Sequence, residues 1–238
     1  LYTGSATNVK ILITILGTWV LCPVISGLIA MAFYSFTKNF LLKRKLHILR
    51  LDAYTRTALL LAGAFGAYSL GANNIANVMG VFVPISPFTD ISISSFFVFS
   101  SKEQLFLLGG IAIAVGVFTY SKRVMFTVGN DLLKMSPVAA FIVVISHSIV
   151  LFLFASQGIS NFLQSINLPS IPLVPVSSSQ AVVGAVIGIG LLKGGKEVQW
   201  SIAGKITVGW FTLPVIAAVI SMLLLFILSN IFNLSVSF

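Results

Sequence analysis

Charge is what this chain has least of: Asp, Glu, Lys and Arg together make up 8% of 238 residues, and only five of them are acidic. Soluble domains carry about a quarter charged residues, so a water-facing globular surface is excluded. Cysteine is nearly absent too, with Cys22 alone inside an apolar stretch, which excludes a disulfide framework and a Cys-rich metal site. His47 and His147 are the only histidines, far apart and in no metal-ligand spacing, and each reads as a surface or packing residue. With no His/Glu metal motif and no nucleophile-base pair in the apolar runs, an embedded enzyme has nothing to work with.

Apolar residues fill the space instead: 58% of the chain is hydrophobic, with mean hydropathy +1.07. This is the composition of an integral membrane protein. The net charge of +9 does not point to nucleic acid, because the Lys and Arg sit in short blocks between apolar runs, without aromatic interleaving. They read as topology signals, a reading preferred to lipid binding for the block from Lys38 to Arg56.

A membrane-crossing helix needs roughly 20 apolar residues. Runs of that kind are Val9–Phe36, Ala53–Val83 with an expected break at Gly71, Glu103–Tyr120, Pro137–Ser156 and Trp200–Phe232. Ser177–Leu192 is also apolar but would rise only about 24 Å as a helix, which suits a half-helix. Lys38, Lys43, Arg44, Lys45, Arg50 and Arg56 crowd the first connection, whereas residues 84–101 before Lys102 have no Lys or Arg. The positive-inside rule makes the first connection cytoplasmic and the second external. Lys122, Arg123 and Lys134 mark the cytoplasm again, as do Lys193, Lys196 and Lys205. The stretch from Pro137 to Leu192 therefore leaves from and returns to the inside, as two crossings or as a re-entrant hairpin with its tip near Pro169–Pro175; the short last run favours the hairpin.

Two polar clusters interrupt this hydrocarbon. Gly71-Ala72-Asn73-Asn74-Ile75-Ala76-Asn77 places three carboxamides at membrane depth, where each needs a partner, a cavity or an ion. Pro175-Val176-Ser177-Ser178-Ser179-Gln180 leads into an apolar helix, so hydroxyls and free N–H groups gather at the positive end of a helix dipole, an anion cradle. Gly184, Ala185 and Gly188 would let that half-helix pack closely on a neighbour.

Sliding the chain on itself by 191 positions lays Trp19-Val20-Leu21-Cys22-Pro23-Val24-Ile25 over Trp210-Phe211-Thr212-Leu213-Pro214-Val215-Ile216, with Met31 over Met222 and Leu1–Gly4 over Leu192–Gly195. On the orientation above the copies run in opposite directions, the pattern of inverted-repeat transporters. The expected organisation is the tail of a first repeat (1–37), a basic cytoplasmic linker (38–52) and a second repeat carrying a substrate half-site (53–238). The rest of the first repeat is expected upstream of Leu1.

The Gly71–Asn77 cluster, the Pro175–Gly190 stretch, the Thr127-Val128-Gly129 to Pro137 link and the Trp210–Pro214 element, in this order, resemble the inorganic phosphate transporter (PiT) family. The family signature reads G-A-N-D-x-A-N and its hairpin P-V-S-T-T-H-A-x-x-G. The resemblance implies an all-α polytopic membrane protein with inverted repeats, a discontinuous helix and a re-entrant helical hairpin. It also implies an importer of inorganic phosphate in the plasma membrane, with no organic cofactor. By position it assigns Ser177, Ser178, Ser179, Gln180 and Asn74 to phosphate, and Asn73, Asn74, Asn77 and Ser177 to the coupling cation. Asn74 stands where the family has Asp, and Ser178-Ser179-Gln180 where it has Thr-Thr-His. Neither cluster keeps an ionisable residue, so sodium is expected rather than a proton. Hydrogen phosphate carries an acidic hydroxyl and wants an acceptor, whereas sulfate offers acceptors only, so Ser and Asn donors by themselves would suit either anion. A sulfate carrier of the same fold, proton coupling and a non-transporting membrane subunit are the alternatives. Besides phosphate, sodium and the bilayer, the expected partner is the missing repeat of the same protein; the oligomeric state stays open, a homodimer included.

Overall fold

Helices follow the apolar runs because a backbone in hydrocarbon must satisfy its own polar groups. The computed structural model describes residues 9–43, 47–94, 97–131, 135–195 and 198–232. Seven α-helices follow in order: α1 (Val9–Lys43), α2 (Ile48–Met79), α3 (Ser101–Asp131), α4 (Pro137–Ala155), α5 (Gln157–Ser165), α6 (Ser178–Leu192) and α7 (Trp200–Phe232). Among the described residues, α1, α3, α4 and α7 contain spans long and apolar enough to cross a membrane. α2 is long enough but is not one of them, since glycines and carboxamides dilute its hydropathy. Arg44, Lys45, Lys134 and Lys196, and the Leu1–Gly4 part of the repeat, lie outside the described residues. The basic linker expected at 38–52 is largely helical, taken up by the end of α1 and the start of α2.

Ends of elements are set by local chemistry. Ser136, Ser156 and Ser177 each cap a helix by accepting an N–H from three residues on, and Pro137 occupies the first turn of α4, where its missing N–H costs nothing. At the start of α3, Ser100 and Glu103 form a reciprocal capping box, Ser100 N–H to Glu103 Oε2 at 2.8 Å and Glu103 N–H to Ser100 Oγ at 3.2 Å. α5 stops at Asn167, whose positive φ of 57° lets Leu168 N–H reach back to Leu163 O at 2.9 Å. Before α3, β1 (Ile91–Ser94) and β2 (Phe97–Phe99) pair antiparallel, a short hairpin that apolar periodicity did not announce.

One expectation about α2 is overturned. The helix is not broken at Gly71: it runs without interruption through Asn77 to Met79 and gives way only at a 3-10 turn, Gly80–Ile85, containing Pro84. A glycine inside a helix costs only about 1 kcal/mol, which tertiary packing readily outweighs. That packing is against α4, where Gly66 faces Ser148 and Val144, and Phe65 meets Phe152 edge-on with ring centroids 5.5 Å apart.

The chain divides into two compact units, Ile15–Val198 and, separately, Leu1–Thr14 with Gln199–Phe238. The core of the larger unit is built from α1, α4 and α6. One apolar cluster joins Ala30, Ala139, Ile142, Val143, Ala185, Val186 and Ile189; a second joins Cys22, Val150, Leu151, Phe154, Val176 and Ala181. Both clusters combine early α1 with late α4, or the reverse, so α1 and α6 run one way and α4 runs the other. α2 runs with α4, since Gly66 lies by Val144 and Ser148 while Asn73, two turns on, bonds Val176, which packs on Val150, Leu151 and Phe154 at the end of α4. Lys38, Arg50, Arg56 and Lys193 therefore belong to one end of this unit, as the charge asymmetry requires of its cytoplasmic side. In the smaller unit α7 is a single helix with Pro214 inside it, as Pro23 is inside α1.

Candidate functional site

Between α5 and α6, residues 168–177 form neither helix nor strand to pair their backbone. Such a segment needs partners from its neighbours. Asn73 on α2 supplies two of them to one residue: its Nδ2 donates to Val176 O at 2.8 Å, and its Oδ1 accepts from Val176 N–H at 3.1 Å. Asn73 is 4% exposed and Val176 equally so, which makes this a buried joint between residues 103 apart in sequence. α1 holds the other side. Cys22 Sγ lies 3.7 Å from Ser177 O, and the buried Ser26 Oγ donates to Ala181 O at 2.6 Å.

α1 comes this close because side chains are missing at the crossing. A Cβ on Gly184 would run into the backbone of Pro23, and one on Gly188 into the backbone of Gly27. Small residues are the usual means of bringing membrane helices to backbone distance. The expected tight packing of Gly184, Ala185 and Gly188 is thus observed, and its partner is α1.

The structure brings most of the sequence-derived site residues together. Ser177 caps α6, its Oγ accepting from Gln180 N–H at 3.4 Å and lying 3.0 Å from Ser179 Oγ. Ser178 begins the helix and is half-buried, whereas Ser179 is exposed. Asn74 is half-buried beside Asn73, which donates to its Oδ1 at 3.2 Å. Asn77, one turn further along α2, is exposed. The constellation is neutral: two carboxamides, a run of hydroxyls and a helix N-terminus, which together favour an anion or a weakly held hard cation over proton transfer.

Gln180 differs from its neighbours. It is 4% exposed, and its Oε1 is buried without a hydrogen-bond partner. Helical side chains lean toward the N-terminus, so this orphan acceptor belongs to the first turn of α6, where the serines are. An unmet buried acceptor costs about 1–3 kcal/mol and is retained only for a reason. Ser146 Oγ on α4 is a second buried, unpartnered oxygen, on the stripe with Val143 and Val150 that meets α6.

Sequence reasoning missed Val176, Cys22 and Ser26. Val176 acts through its backbone, which no side-chain pattern reveals, and the other two read as ordinary filling of an apolar helix. His147 is half-buried, with Nδ1 3.3 Å from Val143 O in its own helix, and no group of three His, Cys, Asp or Glu able to hold a metal occurs among the described residues.

A family model described as "Phosphate transporter family" matches residues 47–161 and 168–236. A protein of Methanocaldococcus jannaschii named "Putative phosphate permease" is 27% identical over 220 residues, 92% of this chain and 62% of that protein. One of the same name from Pyrococcus abyssi is 30% identical over 173 residues, 73% of this chain and 39% of its own length. "Sodium-dependent phosphate transporter 1" of Homo sapiens is 27% identical over 162 residues, 68% of this chain and 22% of the human protein. The chain thus spans less than two thirds of these relatives. No solved structure matches. Apolar helices of crossing length and this similarity together make it a multi-pass membrane protein. By the extent of the family match, the chain belongs to the phosphate transporter family.

Proposed function

We propose that the chain forms one half of a plasma-membrane importer of inorganic phosphate coupled to sodium. The observation that carries this is the bonding of Asn73, with Asn74 beside it, to Val176 directly before the Ser177-capped N-terminus of α6. Phosphate is received there by Ser177, Ser178, Ser179 and the amide of Asn74, with the helix dipole adding attraction. Gln180 supports phosphate over sulfate: its unpartnered Oε1 is the acceptor that the hydroxyl of hydrogen phosphate requires and sulfate cannot use. Sodium is received by the oxygens of Asn77 and Ser177. The "sodium-dependent" name of the human relative supports that choice, as does the absence of Asp, Glu and His from both clusters. The cation offsets the anion's desolvation, so each requires the other, and the first inverted repeat closes the other side of the site for alternating access.

The test is labelled phosphate uptake into proteoliposomes carrying the full-length protein, under sodium, potassium or proton gradients, with excess sulfate as competitor. Sodium-driven uptake indifferent to sulfate is expected. Proton-driven uptake or strong sulfate competition reassigns the coupling or the substrate, and no uptake by well-folded protein favours a structural subunit. Ser178→Ala is expected to raise the phosphate KM about tenfold at unchanged expression, since a hydrogen bond to a charged ligand is worth about 1.5–3 kcal/mol. Unchanged uptake kinetics would remove Ser178 from the site.

A further inference from the structure

We infer that Asn73 is a positioning residue rather than a ligand: its carboxamide clamps the backbone of Val176 and, in the same act, orients the amide of Asn74 toward the anion. The inference deepens the phosphate-transport reading and rests on it for the effect on uptake, though not for the clamp itself.

Every strong bonding direction of the Asn73 amide nitrogen is in use. One Nδ2 hydrogen goes to Val176 O at 2.8 Å and the other to Asn74 Oδ1 at 3.2 Å, while Oδ1 accepts from Val176 N–H at 3.1 Å. The pair with Val176 reproduces the two-bond exchange of opposed residues in an antiparallel sheet. Here a side chain stands in for one of the two backbones. Only a carboxamide offers a donor and an acceptor on one planar group at this reach. An ionised aspartate keeps the acceptor and loses the donor, serine is too short for both bonds, and glutamine places both one methylene further out.

The consequence runs along the chain to the anion cradle. Val176 directly precedes Ser177, whose side chain caps α6 and whose carbonyl accepts from Ala181 N–H at 3.1 Å. Holding Val176 at both its N–H and its C=O therefore sets where the α6 N-terminus begins. The third bond acts on selectivity. With one lone pair of Asn74 Oδ1 taken by Asn73, the two Nδ2 hydrogens of Asn74 are left to offer, and they suit phosphate oxygens. Asn74 is thereby assigned to the anion.

The experiment uses the full-length protein with Asn73→Asp, a near-isosteric change, and two readouts. In hydrogen exchange followed by mass spectrometry, the clamp requires faster exchange in the peptide containing residues 171–178. In proteoliposomes it requires the phosphate KM to rise about tenfold, the effect of losing two neutral hydrogen bonds, with half-saturating sodium unchanged or raised, never lowered. Asn73→Gln, which keeps donor and acceptor, should recover part of both, and it replaces Asn73→Asp if that variant does not fold. The opposite pattern overturns the inference: unchanged exchange, unchanged phosphate KM and tighter sodium, as an added carboxylate on a cation would produce. If the unsubstituted protein takes up no phosphate, the transport reading fails while hydrogen exchange alone still decides the clamp.

Discussion

α1 and α7 carry the same short pattern, Trp-x-x-x-Pro, yet they end in opposite surroundings. On α1, Cys22, Ser26 and Gly27 are buried against α6 and Ala30 lies in the apolar cluster with α4 and α6. On α7 the matching positions, Leu213, Ala217, Ala218 and Ser221, are all exposed. Pro and Trp are shared, so they do not decide the difference. The residues around them do: Cys22, Ser26 and Gly27 let α1 reach backbone distance and hydrogen-bond to α6, whereas α7 has Leu213, Ala217 and Ala218 at these positions.

The comparison is open to breaking by exchange of residues between the two helices. The largest effect is expected for Gly27→Leu, because the Gly27 backbone already touches Gly184 and Gly188. Folded protein should be lost on size-exclusion chromatography, while Ala218→Leu at the matching exposed position elutes unchanged. Equal behaviour of the two would mean that the α1 crossing is not special. Next comes Cys22→Leu, which puts the α7 residue into a site with no exposed surface. Overpacking of this kind costs about 1–3 kcal/mol, and the thermal midpoint should fall by several degrees. The smallest effect is expected for Ser26→Ala, which removes the hydroxyl bonded to Ala181 O at 2.6 Å, a loss of about 1 kcal/mol. A carbonyl already bonded within its own helix is left with a partner, which is why the effect stays small. A fall as large as that of Cys22→Leu would show that Ser26 does more than join α1 to α6.

Legibility differed from element to element for identifiable reasons. α4, α6 and α7 lie within a residue or so of their expected spans, because long apolar runs bounded by Ser-Pro, Ser-Ser and Trp have few alternatives in hydrocarbon. The break expected at Gly71 was misplaced, since glycine propensity is a weak term beside the packing of α2 on α4. α5 escaped notice because its nine residues are too short for a clear periodic signal and are nucleated by Ser156 and terminated by Asn167. In the site, Asn74 and Ser177–Ser179 were legible as polar groups where polarity is costly, but the partner of Asn73 was a valine backbone and left no trace in residue types.

By itself the sequence determined the membrane class, the helical runs, the charge asymmetry and the two polar clusters, all consequences of local composition against a fixed hydrocarbon thickness. Only the tertiary structure decided that α2 stays helical, that α1 lies in backbone contact with α6, and that Asn73 grips Val176. Those outcomes depend on groups 103 and 155 residues apart meeting at hydrogen-bond distance, and such meetings are set by packing geometry rather than by the identity of any one residue.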